Sequence, residues 1–262
     1  MIDTRTDSGT GTGTGSGIGT GRAPRRIGHK GADAIRSGNT IQSFEEAVTV
    51  GVDMIEFDVL RPVEDSIGGE SAARSPLIIA HDWHDARRRA CLTLTEALDA
   101  FTRPPLDRVE LDIDLKLPGR EDELVDALAS AGLTARTMIS TMYVESLDVI
   151  GRHEPRLRRG WTYPKVTRPW DQKRWARPFV ALALRFTGVP LPRIATRRIA
   201  AHALDAVWVY HPLITEALVD AVHEAGAELM AWTVDDRERI ERLCALGVDG
   251  ICSNDPRLLQ GL

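Results

Sequence analysis

The chain has 262 residues, of which 43% are apolar and 27% are charged, and its formal net charge is −5. This composition is typical of a globular protein with one large domain or two small ones, and it excludes a mini-protein, a disordered chain and a collagen-like chain. The longest apolar run, residues 179–184, is much shorter than the roughly 20 residues of a membrane-spanning helix. Because the N-terminus has no secretory signal pattern, we expect a cytoplasmic protein.

The first predicted segment is a low-complexity N-terminal tail. Residues 8–21 alternate glycine with threonine, serine or isoleucine, and such a stretch cannot bury enough apolar surface to offset the entropy lost on ordering. Its glycines fall only on odd positions, so the GxGxxG spacing of a dinucleotide-binding loop does not occur. We therefore predict a disordered Gly/Thr-rich tail over residues 1–24 and one folded domain over residues 25–262.

From residue 26 onward, short apolar runs alternate with segments of helical period, which is typical of a parallel sheet covered by helices. The strand candidates are residues 26–30, 52–60, 77–81, 110–115, 137–142, 158–163, 206–210, 228–233 and 249–252. Residues 61–76 carry no apolar stripe, so the runs on either side could form a hairpin instead of a βαβ crossover. The pattern predicts an α/β fold, a (β/α)8 TIM barrel, with a doubly wound open sheet as the competing architecture.

Two kinds of helix boundary signal accompany these strands. Thr93 with Glu96, and Asp235 with Glu238, have the spacing of a capping box at a helix N-terminus. Glycines such as Gly151 stand where helices are expected to end.

Polar side chains collect where the predicted strands end. The groups lie at residues 28–31, 56–58, 81–82 and 112–116. In barrel enzymes the C-terminal ends of the strands build the active site. Residues i and i+2 of a strand point to the same face, so Glu56 and Asp58 point together, as do Asp112, Asp114 and Lys116.

These strand ends would bring together three carboxylates and two imidazoles. Carboxylates packed so closely repel unless a cation neutralises them, and their hard oxygen ligands suit Mg²⁺ or Ca²⁺. Two histidines beside such an ion are typical of a general acid and a general base, and phosphoryl transfer fits them, with Lys30 and Lys116 adding positive charge. A capping or ion-pair role stays open for each single acid.

The other histidines are interpreted differently. His84, His153, His202 and His223 stand alone and are interpreted as ordinary polar residues. His211 closes the predicted strand 206–210, and it could either line the pocket or be structural.

The order and spacing of these motifs resemble the glycerophosphodiester phosphodiesterase family, which belongs to the phosphatidylinositol-phospholipase-C-like TIM-barrel phosphodiesterases. The matching segments are HKG at 29–31, SGNT at 37–40, IEFDV at 55–59, IIAHD at 78–82, TLTEAL at 93–98, LDIDLK at 111–116, AWTVDD at 231–236 and GVDGICSNDP at 247–256. The resemblance runs from about residue 26 to the C-terminus and is weakest over residues 143–205.

This resemblance implies a metal-dependent enzyme that hydrolyses glycerophosphodiesters to glycerol 3-phosphate and an alcohol. The roles that it implies are the acid–base pair His29 and His81, the metal ligands Glu56, Asp58 and Asp114, and the substrate-binding residues Lys30, Lys116 and Trp232. The implied cofactor is one divalent cation, Mg²⁺ or Ca²⁺. Core packing is the alternative role for the tryptophan.

The sequence departs from the family pattern at several positions. Lys30 replaces the usual arginine, Asp114 replaces a glutamate, and Gly38 stands where the family has glutamate in its PENT motif. Residues 82–91 form only a minimal insertion after the third strand, which would leave the pocket more open. Two alternatives follow: a lysophospholipase D-type enzyme acting on lysophospholipids at a membrane surface, or a degenerate, non-catalytic barrel that binds anionic ligands.

A strongly basic segment bears on the choice of partner. Residues 156–198 contain 12 Lys or Arg and one acid, a net charge of +11 that leaves −16 for the rest of the chain. Residues 165–198 interleave these charges with aromatic residues, as in helices that rest on anionic lipid, or as in a helix packed on the barrel with its arginines in solvent. Because no RNP-like or helix-turn-helix motif accompanies the charge, we predict a small-molecule substrate and no nucleic-acid partner.

Overall fold

A computed structural model describes residues 23–61, 75–165 and 190–262. Its strands are β1 Arg25–His29, β2 Met54–Leu60, β3 Ile78–Ile79, β4 Glu110–Leu115, β5 Thr137–Thr141, β6 Arg158–Tyr163, β7 Ala206–Tyr210, β8 Glu228–Trp232 and β9 Gly250–Ser253. Eight of them form a parallel ring in the order β1-β9-β8-β7-β6-β5-β4-β2, which the pairing of β1 with β2 closes. The predicted TIM barrel is confirmed.

The strand candidate 77–81, which corresponds to β3, lies outside the eight-stranded barrel. β3 pairs antiparallel with β2, with Ile79 opposite Val59 and Ile78 opposite Leu60. The hairpin alternative for the runs around residues 61–76 is therefore confirmed. Because β3 runs back along β2, the chain that follows it returns to the level of Asp58, and His81 lies on this returning segment.

Helices surround the barrel. The described ones are Ile41–Val50, Trp83–Ala86, Leu94–Phe101, Glu121–Ser130, Val144–His153, Leu191–His202, Glu216–Glu224 and Arg237–Leu246. The predicted capping box of Thr93 and Glu96 is confirmed, since each side chain binds the other residue's backbone N–H. The one predicted at Asp235 is wrong, because Asp236 caps the helix instead. Gly151 lies inside a helix and does not end it.

The core has two layers, one inside the barrel and one between the barrel and the helices. The inner cluster consists of Ile27, Met54, Met138, Ala206, Trp208, Met230 and Cys252, with Trp232 packed against it. In the outer layer, the rings of Phe44, Phe57 and Phe101 lie 5.1–5.5 Å apart between centroids. Side chains alternate between the layers along each strand, so the inward residues of β2 are Met54, Glu56 and Asp58.

Charged residues close the N-terminal end of the barrel. Arg25 and Arg158 form ion pairs with Glu110 and Glu228, and these four residues come from alternate strands of the ring. Four residues further along the same strands, on the same inward face, stand His29, Asp114, Thr162 and Trp232. The C-terminal end of the barrel thus receives the residues that the sequence singled out.

Some predictions fall on residues outside the described ranges. These are nearly all of the predicted tail 1–24 and most of residues 165–198 of the basic segment, of which residue 165 and residues 190–198 are described. The helix Leu191–His202 contains the C-terminal part of that segment, and Arg198 lies 4.5 Å from the ring centroid of Trp161. Within the described ranges, no helix has the length and apolarity that a membrane span requires.

Candidate active site

Three of the predicted carboxylates meet at the C-terminal end of the barrel. Glu56 and Asp58 come from β2 and Asp114 from β4, and one oxygen of each lies within 4.8 Å of the others. Glu56 is 5% exposed and Asp58 is fully buried, while Asp114 faces Asp58 across the parallel strand pair. Asp112 lies deeper in the barrel, where its carboxylate accepts a hydrogen bond from Ser140 Oγ at 2.8 Å.

The carboxylate cluster of Glu56, Asp58 and Asp114 fits a single divalent cation. Its donors are carboxylate oxygens from neighbouring strands, the ligand type that Mg²⁺ and Ca²⁺ prefer. Asp114 Oδ1 is buried and has no hydrogen-bond partner among the described residues, so it is available as a ligand atom. These residues could therefore hold the cation that the sequence predicts.

The two buried acids of the cluster have opposite pKa shifts. Burial, together with the negative charge of Asp58, raises the pKa of Glu56 well above its usual range. Burial also raises the pKa of Asp58, but electrostatic interactions, above all the positive charge of Lys116 and also that of Lys30, outweigh it, and the net pKa is far below normal. The surroundings thus favour the charged form of Asp58 and disfavour that of Glu56.

The two predicted phosphate-binding lysines both touch the acids. Lys116 Nζ lies 2.7 Å from Asp58 Oδ1 and 2.7 Å from Asp114 Oδ2. Burial lowers the pKa of Lys116, but the surrounding carboxylates raise it by more, so the side chain stays charged. The backbone N–H of Lys30 donates to Glu56 Oε2 at 2.9 Å, whereas its ammonium lies 3.9 Å from Asp33 Oδ2.

His29 stands beside the cluster with a fixed ring orientation. Its Nδ1 lies 2.5 Å from Asn254 Oδ1, and its Nε2 lies 3.8 Å from Glu56 Oε2. Because an amide oxygen only accepts, Nδ1 carries the proton and Nε2 is the atom left for proton transfer. Burial, and then the charge of Lys30, lowers the pKa of His29 to about 4, so the ring is neutral near pH 7.

The amide of Asn254 is itself oriented by Asp235. Asn254 Nδ2 donates to Asp235 Oδ2 at 2.6 Å, and Asn254 N donates to Asp235 Oδ1 at 2.8 Å. Since a carboxylate only accepts, the amide must turn its oxygen towards His29. The sequence analysis missed Asn254, and it interpreted Asp235 as a helix cap.

His81 has a less enclosed position on the segment that follows β3. Its side chain is 48% exposed, and its Nδ1 lies 3.3 Å from Asp82 Oδ2. Its backbone N–H donates to Asp85 Oδ2 at 3.2 Å. His81 lines the same recess as Lys30 and Asn39, and Asn39 binds Asp58, so His81 lies on the Asp58 side of the carboxylate cluster.

Asn39 is a further residue that the sequence analysis missed, although the SGNT motif contains it. Its side chain is 1% exposed; Nδ2 donates to Asp58 Oδ2 at 2.7 Å, and Oδ1 accepts from Asp58 N at 3.1 Å. Its φ of 59° is left-handed, a conformation that asparagine tolerates better than most residues. Asn39 therefore fixes Asp58 from both its backbone and its carboxylate.

The unusual glycine at position 38 has a local cause. Gly38 N donates to Asp33 Oδ1 at 2.8 Å, and a Cβ at Gly38 would lie only 2.5 Å from that oxygen. The carboxylate of Asp33 thus fills the space in which a side chain at position 38 would begin. Asp33, Lys30 and His81 line a recess of about 260 Å³ beside the carboxylate cluster.

The opposite side of the barrel mouth is aromatic. Tyr210 and Trp232 are paired at the ends of β7 and β8, with ring centroids 5.5 Å apart. His211 packs against Tyr210 and accepts from Arg239 Nε at 3.2 Å. Burial, and then the charge of Arg239, lowers the pKa of His211 to about 4. His211 is thus part of this wall and lies outside the carboxylate cluster.

Three of the remaining histidines form His–Asp pairs elsewhere on the molecule. The pairs, each at 2.8 Å, are His153–Asp126, His202–Asp148 and His223–Asp249. Each pair joins elements around the barrel, as expected for ordinary polar residues.

Comparison with known proteins places the chain in one family. The family model described as the Glycerophosphoryl diester phosphodiesterase family matches residues 29–61 and 107–258. The glycerophosphodiester phosphodiesterase of Caldanaerobacter subterraneus is 27% identical over 259 residues, which cover 90% of this chain and 96% of that protein.

Solved structures show the same fold. The glycerophosphodiester phosphodiesterase from Agrobacterium tumefaciens superposes with a TM-score of 0.65 at 17% identity, covering 91% of this chain and 100% of the other. A phosphodiesterase from Oleispira antarctica, in complex with the product sn-glycerol-3-phosphate, gives a TM-score of 0.62 at 17% identity, covering 91% and 96%. The chain therefore belongs to the glycerophosphoryl diester phosphodiesterase family and is an enzyme, a phosphoric diester hydrolase.

Proposed function

We propose that the enzyme uses one divalent cation to hydrolyse glycerophosphodiesters to glycerol 3-phosphate and an alcohol. The observation that carries this proposal is the convergence of Glu56, Asp58 and Asp114 at one end of the barrel, with His29 beside Glu56 and His81 on the adjoining recess. Family membership supports the substrate class, and the Oleispira relative binds the corresponding product.

The carboxylate cluster would hold the cation. When bound there, Mg²⁺ or Ca²⁺ polarises a phosphate oxygen as a Lewis acid and offsets the charge that develops on it. Asn39 keeps Asp58 in place through its two hydrogen bonds, and the Lys30 N–H holds Glu56. Lys30 also presents its ammonium at the edge of the recess, where it adds positive charge for a phosphate.

The two imidazoles would move the protons. One of His29 and His81 deprotonates the attacking group, which is the substrate's own 2-hydroxyl or water, and the other protonates the leaving alkoxide. Asn254 holds Nδ1 of His29, so Nε2 is the atom that exchanges the proton. Trp232 and Tyr210 supply an aromatic wall on the far side of the mouth for the glycerol or the alcohol.

The test is a product screen with purified protein on glycerophosphocholine, glycerophosphoethanolamine, glycerophosphoinositol and lysolipids, each with and without chelator. We expect glycerol 3-phosphate from the diesters, and no turnover after chelation. His29→Ala and His81→Ala should each lower kcat by about 10² to 10⁴, the usual contribution of a positioned acid or base. His153→Ala, on an outer helix, is the control and should keep its rate.

Other outcomes would favour the alternatives. Cleavage confined to lysolipids would replace the proposal with lysophospholipase D activity. If neither imidazole variant changes the rate, the acid–base assignment is wrong. No turnover, combined with no calorimetric uptake of Mg²⁺ or Ca²⁺, would leave a barrel that only binds anions.

A further inference from the structure

Arg89 lies in the short connection between β3 and the helix Leu94–Phe101, and the mechanism above does not use it. Its side chain is 19% exposed, whereas the neighbouring Arg87 and Arg88 are exposed. Arg89 Nε donates to Asp85 Oδ1 and Nη2 donates to Asp85 Oδ2, both at 2.8 Å. This two-bond fork fixes both side chains in one plane.

The same guanidinium also reaches two backbone carbonyls from separate segments. Arg89 Nη2 donates to the carbonyl of Ile79 at 3.0 Å, and Nη1 makes a longer contact of 3.5 Å with the carbonyl of Asn39. Ile79 ends β3, two residues before His81, and Asp85 in turn accepts the His81 N–H. One side chain thus joins the segment that carries His81 to the residue that holds Asp58.

His81 depends on such a connection because the barrel does not hold it directly. β3 has only two residues, which pair with β2 and form a single bridge from Ile78 to Thr93, and the His81 side chain is 48% exposed. The other imidazole, His29, ends a barrel strand that is paired on both sides. The position of His81 relative to Asp58 therefore depends in part on contacts made in the connection after β3, among them those of Asp85 and Arg89.

We propose that Arg89 is a positioning residue that sets His81 against the carboxylate cluster. The inference rests on the proposed acid–base role of His81. A lysine would supply the charge but not the planar fork that binds a carboxylate and two carbonyls together. Arg89 also borders the recess beside Lys30, so direct contact with a substrate phosphate is the competing role.

A double-mutant cycle tests the proposal, with kcat and KM measured on glycerophosphocholine in the presence of metal. The variants are R89M, R89K, H81A and H81A/R89M, with R87M as the matched control from the same turn. We expect R89M to lower kcat by about 10-fold to 100-fold, the cost of a small misplacement of a catalytic group, with KM little changed. R89K should lose nearly as much, and R87M should behave as wild type.

The H81A background gives the decisive result. H81A has no imidazole to position, so adding R89M to it should lower kcat by less than about threefold further. The effects of the two substitutions on kcat are then coupled. The same cost in both backgrounds, or a raised KM with unchanged kcat, would overturn the proposal in favour of a phosphate contact or general destabilisation. The unfolding midpoint of each variant, compared with that of the wild type, shows whether the fold is kept. If R89M does not fold, R89K takes its place in the double-mutant cycle. No turnover by the wild type would refute the proposed function itself.

Discussion

The two sides of the barrel mouth are built from the same kind of strand end but differ in chemistry. At the ends of β1, β2 and β4, here called the ionic side, the inward residues are charged or ionisable, including His29, Asp58 and Asp114. At the ends of β7 and β8 they are the rings of Tyr210 and Trp232. Because the two sides share the same backbone geometry, they differ only in their side chains and in the contacts that keep these side chains in place.

The ionic side needs many partners, whereas the aromatic side needs few. Buried charges are costly unless each one is paired, and here the pairing comes from Asn39, Lys116 and the Asn254–Asp235 pair. Rings hold one another by packing, and Arg239 is the main polar contact of His211. We therefore expect substitutions on the ionic side to change catalysis and metal binding, and those on the aromatic side to change substrate fit.

The largest expected effect comes from removing a charge of the ionic side. Asp58→Asn should abolish calorimetric metal binding and lower kcat about 10³-fold, since a Lewis acid supplies several kcal/mol of transition-state stabilisation. Asp112→Asn is the matched control from the adjacent strand. Asp112 is also fully buried but lies outside the cluster, and burial raises the pKa of its carboxyl well above normal. Equal losses in both variants would contradict the special role of the cluster.

The second prediction concerns a residue that does not touch His29. Asp235→Asn places an amide NH₂ against Asn254, which must then flip and present its own NH₂ to His29. The His29 ring would then carry its proton on Nε2 instead of Nδ1. We therefore expect kcat to fall about 10-fold to 100-fold, the usual effect of losing a residue that orients a functional side chain from behind. Nitrogen-15 NMR of the His29 ring measures the tautomer directly.

The control for this substitution is Asp236→Asn, which changes the acid next in sequence. Asp236 caps the helix Arg237–Leu246 and makes no contact with Asn254, so the tautomer and kcat should stay the same. An unchanged tautomer in Asp235→Asn would show that Asn254 does not depend on Asp235.

On the aromatic side the expected effect is smaller and of a different kind. Trp232→Phe shortens the wall, and aromatic contacts contribute about 0.5–1.5 kcal/mol, so KM should rise by at most about tenfold. Metal affinity and kcat should change little. Tyr163→Phe is the control, because Tyr163 packs with Trp161 in the outer layer. A loss of metal binding in Trp232→Phe would break the division between the two sides.

The barrel and its inward carboxylates could be predicted from the sequence because both follow from local periodicity. Alternation along β2 and β4 fixes the direction of Glu56, Asp58 and Asp114 without knowledge of any distant contact. The hairpin of β3 could be proposed because residues 61–76 have no apolar stripe. These features depend on residue type and spacing alone.

The partners of these residues could not be predicted in the same way. Asp235 lies one residue before the true cap, and its carboxylate instead meets Asn254, 19 positions away. Asp33 fills the place of a side chain at Gly38 only because the loop turns back on itself. Such contacts between loops depend on the assembled barrel, which no local pattern records.

The smallest expected effect is on the pH dependence of the free energy of unfolding, to which His211 on the aromatic side should contribute. The pKa of His211 is lowered to about 4 in the folded protein, whereas an unfolded histidine titrates near 6.5. Between these values the unfolded state binds more protons, so this contribution is fully present above about pH 6.5 and is lost as the pH falls towards 4.

His211→Gln keeps an acceptor for Arg239 but does not titrate, so its free energy of unfolding should fall less than that of the wild type between pH 7 and pH 5. Urea unfolding at several pH values measures the difference, and His84→Gln, at an exposed position, should follow the wild-type curve. Parallel curves for wild type and His211→Gln would show that the ring is solvated well enough to titrate normally. In that case the aromatic side would be more open to water than its packing against Tyr210 and Arg239 indicates.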